Sequence, residues 1–180
     1  GLPDGTVDAG TLATDSVVAA KLGTDAVTAD ALKSDAITGA DLPAGSVLQV
    51  VNTSTTAQQS TTSTSWVDTN LSLSITPSAT TSKIQIQYSF QNVYLTVAGA
   101  GCSFRILRDT TSLFTPAGGF AMWNGTGIGY WQYGDIALDS PSTTSSVTYK
   151  IQVSNYDSKA VHISGSGKYK NTITLMEIAG

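Results

Sequence analysis

The chain has few charged residues, and it has little of the cysteine and histidine on which disulfides and many metal and catalytic sites depend. Charged residues make up 12% of its 180 residues, with one cysteine, Cys102, and one histidine, His162. A single cysteine excludes a disulfide within the chain. The stability of the fold must therefore come from packing or from association between chains.

The nine Lys and Arg residues are spread thinly, and the net charge is −4. Nucleic-acid binding needs clustered cations that face phosphates, so no nucleic-acid partner is expected. No apolar run approaches the length of a membrane span, and no basic segment followed by an apolar one opens the chain, so no membrane insertion is expected. The chain begins at Gly1 without an initiator Met, and we expect it to be a fragment of a longer protein.

A ten-residue repeat occupies the first part of the chain. Written in tens from Gly5, the sequence reads GTVDAGTLAT, DSVVAAKLGT, DAVTADALKS, DAITGADLPA and GSVLQV, with no insertion. One apolar column contains Val7, Val17, Val27, Ile37 and Val47, and the second contains Leu12, Leu22, Leu32 and Leu42. Apolar residues thus recur every five residues, which is neither the helical nor the strand period. Each repeat must contain a bend, and the spacing leaves open whether helical turns or short extended pieces flank it.

These columns supply about two large apolar side chains per repeat. That is too few for a lone chain to offset the roughly 1–2 kcal/mol per residue that ordering the backbone costs. Parallel copies of the chain would bring their columns together on one axis, and a symmetric homo-oligomer is the simplest such arrangement. Residues 1–45 are therefore predicted to be a shaft and oligomerisation segment, with the nine column residues at the interface. The alternative is a disordered linker, against which the strict columns argue.

Residues 46–180 are predicted to form one head domain of nine or ten strands. Leu71, Leu73 and Ile75 alternate with hydroxyl residues, so they are expected to face a core. Alternation is also clear in 83–91, where it drifts on to Leu95, and in 146–154. Further strands are predicted at 46–52, 102–107, 113–114, 128–138, 160–164 and 172–178. Strands separated by Ser, Thr, Gly and Pro turns are typical of an antiparallel β-sandwich, here jelly-roll-like, and the fold class is all-β.

No catalytic constellation is recognisable, so the chain is expected not to be an enzyme. His162 sits at the polar step of an alternating strand and is expected to be a solvated or hydrogen-bonded strand residue, and no nucleophile-elbow motif is present. Cys102 lies among apolar residues and is predicted to be a small core residue. The head's acids are not obviously paired as glycoside hydrolysis requires; they are Asp68, Asp109, Asp135, Asp139, Asp157 and Glu177. Neither a metal site nor a cofactor is expected.

Aromatic residues are concentrated between Phe120 and Tyr133. Trp and Tyr rings stack on the apolar faces of sugars while amides bond their hydroxyls, so an adhesive patch is predicted here. The candidate receptor-binding residues are Trp123, Asn124, Tyr130, Trp131 and Tyr133. The alternative is that these rings fill the core or a subunit interface, and alternation over 130–133 means that they cannot all face one way. Trp123 and Asn124 adjoin a Gly-rich loop tip, which makes them the better surface candidates.

Several stretches, which together cover nearly the whole chain, resemble bacteriophage tail fibres. The repeats of the type Asp-Ala-Val-Thr-Ala-Asp-Ala-Leu lead through 42–50 (LPAGSVLQV) into a Ser/Thr-rich β domain, and the segments 66–77 and 173–178 are similar to the distal domains of such fibres. The resemblance implies a parallel homotrimer, a slender shaft and a head that binds a bacterial surface receptor, often a glycan. It implies a place in the virion after assembly in the host cytoplasm. The His-x-His pattern of some fibre tips is absent, so no metal-threaded tip is implied.

Two alternatives to a fibre remain at this point. One is a tailspike enzyme that degrades host polysaccharide, which would need acids clustered in a groove. The other is a bacterial surface adhesin, which would share the binding chemistry. The sequence identifies neither the host nor the receptor.

Overall fold

The computed structural model describes residues 16–18, 22–24, 26–28, 37–116, 121–123 (backbone alone), 127–163 and 167–180. The chain divides into two compact units, Gly1–Thr38 and Gly39–Gly180. The boundary predicted after residue 45 falls inside the second unit. There it lies between a short 3-10 helix at Gly39–Asp41 and the first strand, which begins at Val47.

The described part of the second unit contains eleven strands. They are β1 Val47–Thr55, β2 Gln59–Thr61, β3 Val67–Ile75, β4 Lys83–Leu95, β5 Ala100–Arg108, β6 Thr111–Phe114, β7 Ala121–Trp123, β8 Gly129–Asp139, β9 Val147–Asn155, β10 Val161–Ile163 and β11 Asn171–Ile178. Nine of them correspond to the strands predicted from alternation. The short strands β2 and β7 were not predicted.

The strands form two antiparallel sheets, so the predicted all-β sandwich is confirmed. In sheet A the long strand β4 pairs with β8 on one side, and on the other side with β11 and β10, which pair in turn with β1 and β2. Sheet B has the order β3-β9-β5-β6, with β7 also paired to β5. Strand β8 has no described partner beyond β4, so it is an edge of sheet A.

The core lies between the two sheets and is built from the apolar steps of the alternating strands. Leu71 and Ile75 of β3 are buried, and Leu73 packs against the same cluster, as the alternation predicted. Ring contacts join the sheets, since Phe90 of β4 lies 4.9 Å from Phe104 of β5 between ring centroids. Cys102 is fully buried, which confirms its prediction as a small core residue.

Candidate functional site

A β-bulge interrupts the pairing of β4 with β8. Phe90 pairs with Tyr133 and Val93 pairs with Trp131, so two residues of β4, Gln91 and Asn92, lie opposite the single residue Gln132. Such a bulge reverses which side of the sheet each later residue faces. The inward residues of β4 accordingly change from Ile84, Ile86, Tyr88 and Phe90 before the bulge to Val93 and Leu95 after it.

A groove of about 540 Å³ opens at this bulge. Its lining residues come from β4, β8 and three connecting segments, and they are Gln58, Gln91, Asn92, Tyr94, Ile128, Tyr130, Trp131, Gln132 and Tyr169. Four are aromatic, four are side-chain amides and none is charged. Each amide carries both donors and an acceptor, and each ring offers an apolar face. The groove is therefore suited to a ligand that combines hydroxyls with flat apolar surfaces.

Tyr94 is held in place by three neighbours. Its ring stacks on His162 of β10, with centroids 4.4 Å apart and planes 7° apart. The Gln58 side-chain N–H donates to the Tyr94 hydroxyl at 3.3 Å. Tyr130 contacts it at 5.6 Å between ring centroids. Because the ring of Tyr130 is 61% exposed, this residue is the open stacking surface, and Tyr94 is its support.

The two bulge amides differ in their contacts. Gln91 Oε1 accepts a hydrogen bond from the Lys170 backbone N–H at 2.7 Å, which fixes the orientation of that amide. Asn92 is 4% exposed and lines the groove, and no side chain or backbone group of the described residues bonds its amide. Buried amides normally have protein partners. Asn92 is therefore a polar group whose hydrogen-bonding capacity is left for a molecule in the groove.

His162 lies behind the groove as a neutral group at physiological pH. Burial lowers the pKa of His162 below its ordinary value of 6.5, because desolvation disfavours the imidazolium. Its Nδ1 is buried and has no partner among the described residues. His162 was expected to be a solvated or hydrogen-bonded strand residue; instead it is half-buried and stacks on Tyr94.

The structure brings two of the five candidate receptor-binding residues into the groove, Tyr130 and Trp131, and Trp131 also packs against the core. Tyr133 is not with them: its inward step on β8 places its ring on Phe104 at 4.9 Å, so it packs against the core. The backbone of Trp123 lies in sheet B, paired with Ala100, whereas β4 and β8 belong to sheet A. Asn124 lies outside the described residues.

Seven groove residues were not among the predicted candidates: Gln58, Gln91, Asn92, Tyr94, Ile128, Gln132 and Tyr169. One signal for them was available. Apolar residues alternate up to Phe90 and then resume at Val93, one step out of phase, which marks a bulge at Gln91 and Asn92. Nothing local could place Gln58 or Tyr169 beside that bulge, because each lies in a connecting segment far away in sequence.

Three of the described carboxylates form ion pairs with cations of the protein. Asp139 pairs with Arg108 at 2.7 Å and accepts the Tyr149 hydroxyl at 2.7 Å. Asp68 pairs with Lys150 at 2.9 Å, and Asp157 with Lys159 at 2.7 Å. Within the described ranges, no three His, Cys, Asp or Glu side chains cluster as metal ligands would.

The described residues of the repeat columns are exposed in the single chain. Val27 is 52% and Ile37 is 60% exposed, and Val17, Leu22, Leu42 and Val47 are also largely open to solvent. Val7, Leu12 and Leu32 lie outside the described residues. In the part of the chain that the structure describes, no helix is long and apolar enough to cross a membrane.

No protein-family profile matches the chain, and no curated protein matches its sequence. Its fold is similar to a chain in the structure of infectious bursal disease virus Gx strain, with a TM-score of 0.39 and 11% identity over 72% of this chain and 38% of that chain. It is also similar to a chain of the infectious bursal disease virus VP2 subviral particle, with a TM-score of 0.41 and 14% identity over 74% of this chain and 39% of that one. The chain thus spans about two fifths of the length of these proteins, and at this similarity the match carries no argument about function.

Proposed function

We propose that the chain is a structural and adhesive protein of a virion, a segment of a trimeric bacteriophage tail fibre whose head binds a glycan receptor on the host surface. The observation that carries the adhesive part is the groove at the β4 bulge. It joins an exposed ring, Tyr130, to four side-chain amides. Sugars are recognised by this pairing, because the ring takes the apolar face and the amides take the hydroxyls. The fibre part is supported by the resemblance of the repeats and of segments 66–77 and 173–178.

Trimer formation is supported by apolar surface that the single chain leaves open. Val47 is the last member of the repeat column and the first residue of β1, and it is 54% exposed. Val50 of β1 pairs with Met176 of β11, and Met176 pairs in turn with Gln85 of β4. Gln85 pairs with Leu138 of the edge strand β8, so the four residues form one row across sheet A. Val50 and Leu138 are both more than half exposed, as is Ile136 beside them. The apolar column thus continues onto the outer face of sheet A, and we assign that face to contact with other copies of the chain.

The absence of enzymatic activity is also part of the proposal. A glycosidase needs two carboxyl groups that face the same sugar. Asp68, Asp139 and Asp157 are each engaged by a cation of the protein, and none of them lines the groove. Incubation with capsular or lipopolysaccharide preparations should release no reducing ends. Release above the level of a heat-denatured sample would favour a tailspike enzyme instead.

Binding of the labelled protein to a panel of bacterial strains tests the adhesive role. A Tyr130→Ala variant should lose most binding to any strain that the wild type binds, because it removes the exposed stacking surface. Tyr156→Ala is the matched control, since Tyr156 is 60% exposed but does not line the groove. Equal losses in both variants would contradict a role for the groove.

Multi-angle light scattering tests the oligomeric state. Three times the chain mass is expected at micromolar concentration, and Leu138→Lys should shift the protein toward monomer because it places a charge in the apolar contact. Ser72→Lys, on an exposed step of β3 in sheet B, is the control and should remain a trimer. A monomeric wild type would contradict the fibre proposal.

A further inference from the structure

The bulge in β4 is not needed to keep the strand in phase. If Asn92 were absent, Val93 would follow Gln91 directly. The order Phe90, Gln91, Val93 would then read inward, outward, inward without interruption, and Tyr94 would still face outward. A strand without Asn92 would therefore keep every other side chain on the side that it occupies in the structure.

Keeping that extra residue is unfavourable for the fold itself. A bulge leaves one residue outside the pairing ladder, and here that residue is Asn92, which is 4% exposed and lines the groove without a bond from any described group to its amide. An amide that no protein group bonds depends on water or on a ligand for its hydrogen bonds. Features that break a local rule without a structural gain are concentrated at functional sites. The bulge therefore indicates that a ligand completes the hydrogen bonds of Asn92.

The groove also defines the charge of that ligand. Its lining contains no carboxylate and no cation, and His162 behind Tyr94 is kept neutral by burial. A charged ligand would lose its hydration without gaining a counter-charge. Lys168 and Lys170 flank Tyr169 in sequence, but both are exposed and neither lines the groove, so salt screens their attraction for an anion.

We propose that Gln91, Asn92 and Gln132 form a hydroxyl-binding subsite for an uncharged saccharide whose ring stacks on Tyr130. This inference rests on the proposed glycan-binding function and specifies its ligand class and its reading residues. Each amide can donate to one sugar hydroxyl and accept from another. The bulge places Gln91 and Asn92 opposite Gln132, and all three residues line the same groove as Tyr130.

A printed glycan array tests the inference with defined probes. One set of spots carries neutral hexose and N-acetylhexosamine oligosaccharides, and the other carries sialic-acid and uronic-acid oligosaccharides. The full chain is compared with a variant that lacks Asn92, with Asn92→Ser, and with Asn70→Ser as a matched control. Asn70 is exposed on β3 in sheet B and does not line the groove. Thermal unfolding of each variant measures whether it folds.

Neutral spots should be bound at both low and high salt. Both Asn92 variants should bind them about tenfold more weakly or worse, which corresponds to the loss of one well-formed hydrogen bond, while Asn70→Ser is unchanged. The deletion variant should unfold at the wild-type temperature or above. Salt-sensitive binding confined to acidic spots would overturn this inference and leave glycan binding standing. Undiminished binding by a folded Asn92→Ser variant would also overturn it, and a protein that binds no spot would contradict the proposed function as well.

Discussion

Glu177 of β11 is the only glutamate of the chain, and its carboxylate is fully buried. Its Oε1 accepts from the Ser78 backbone N–H at 2.6 Å, the Ser78 hydroxyl at 2.7 Å and the Ser82 hydroxyl at 2.6 Å. Its Oε2 accepts from the Gln49 amide at 2.6 Å. These four bonds tie β1 and β11 to the turn between β3 and β4. Burial alone would raise the pKa of Glu177, but the hydrogen bonds outweigh it and hold the pKa below 4.5.

A Glu177→Gln substitution keeps the shape of the side chain and removes its charge. Three bonds to the remaining oxygen weaken by about 1 kcal/mol each, because charge-assisted bonds contribute more than neutral ones. The fourth bond, from the Gln49 amide to Oε2, is lost. In its place the new amide N–H of residue 177 faces the N–H of Gln49, and two facing donors cost about 1–2 kcal/mol. Relief from burying a charge offsets about 1–2 kcal/mol of this. The expected loss is about 3 kcal/mol of unfolding free energy.

Urea unfolding followed by tryptophan fluorescence measures this loss, and the unfolding temperature should fall by about 6–12 °C. Asp135→Asn is the control. Asp135 is exposed and accepts only the neighbouring Ile136 backbone N–H, so its replacement should change stability by less than about 0.5 kcal/mol. If Glu177→Gln changed stability as little as Asp135→Asn does, the carboxylate would not be the anchor that these contacts describe.

Three further predictions follow from buried polar groups. The pKa of Glu177 is lowered in the fold, so its stabilisation is complete above the unfolded value near 4.5 and is lost as pH falls through the folded value. Wild-type stability should therefore drop below about pH 4.5, and that of Glu177→Gln should drop less over the same range. Tyr149→Phe removes the hydroxyl that donates to Asp139 at 2.7 Å and should cost about 1–2 kcal/mol in urea unfolding. Cys102 is fully buried, so a thiol reagent should label it only at the rate of unfolding; immediate labelling of native protein would contradict its place in the core.

Alternation predicted most of the fold because the sandwich has one buried and one open side per sheet. Leu71 and Ile75 were assigned correctly to the core from their spacing alone. The same rule explains why Tyr133 could not share a face with Tyr130, although it could not say which of the two faced outward. That choice depends on the pairing of β8 with β4, which is a long-range property.

The groove was harder to predict than the strands. Its outer residues lie on connecting segments, such as those of Gln58 and Tyr169, and come together only when the strands of sheet A have paired. Propensity favoured Trp123 and Asn124 because a Gly-rich stretch follows them. The phase break at Asn92 was the more informative signal, since it marks a position where packing alone does not account for the residue.

Glu177 and Asn92 are both polar and almost fully buried, but the fold treats them differently. Glu177 has four donors, which is the number a carboxylate needs when it has left water. Asn92 has none among the described residues, and it borders an open groove. A group that serves the fold must find its partners within the protein, whereas a group that serves binding must keep its capacity free. The amide of Asn92 keeps its hydrogen-bonding capacity free for a ligand. The alternation of β4 would continue without Asn92, so the strand does not need this residue for its own packing.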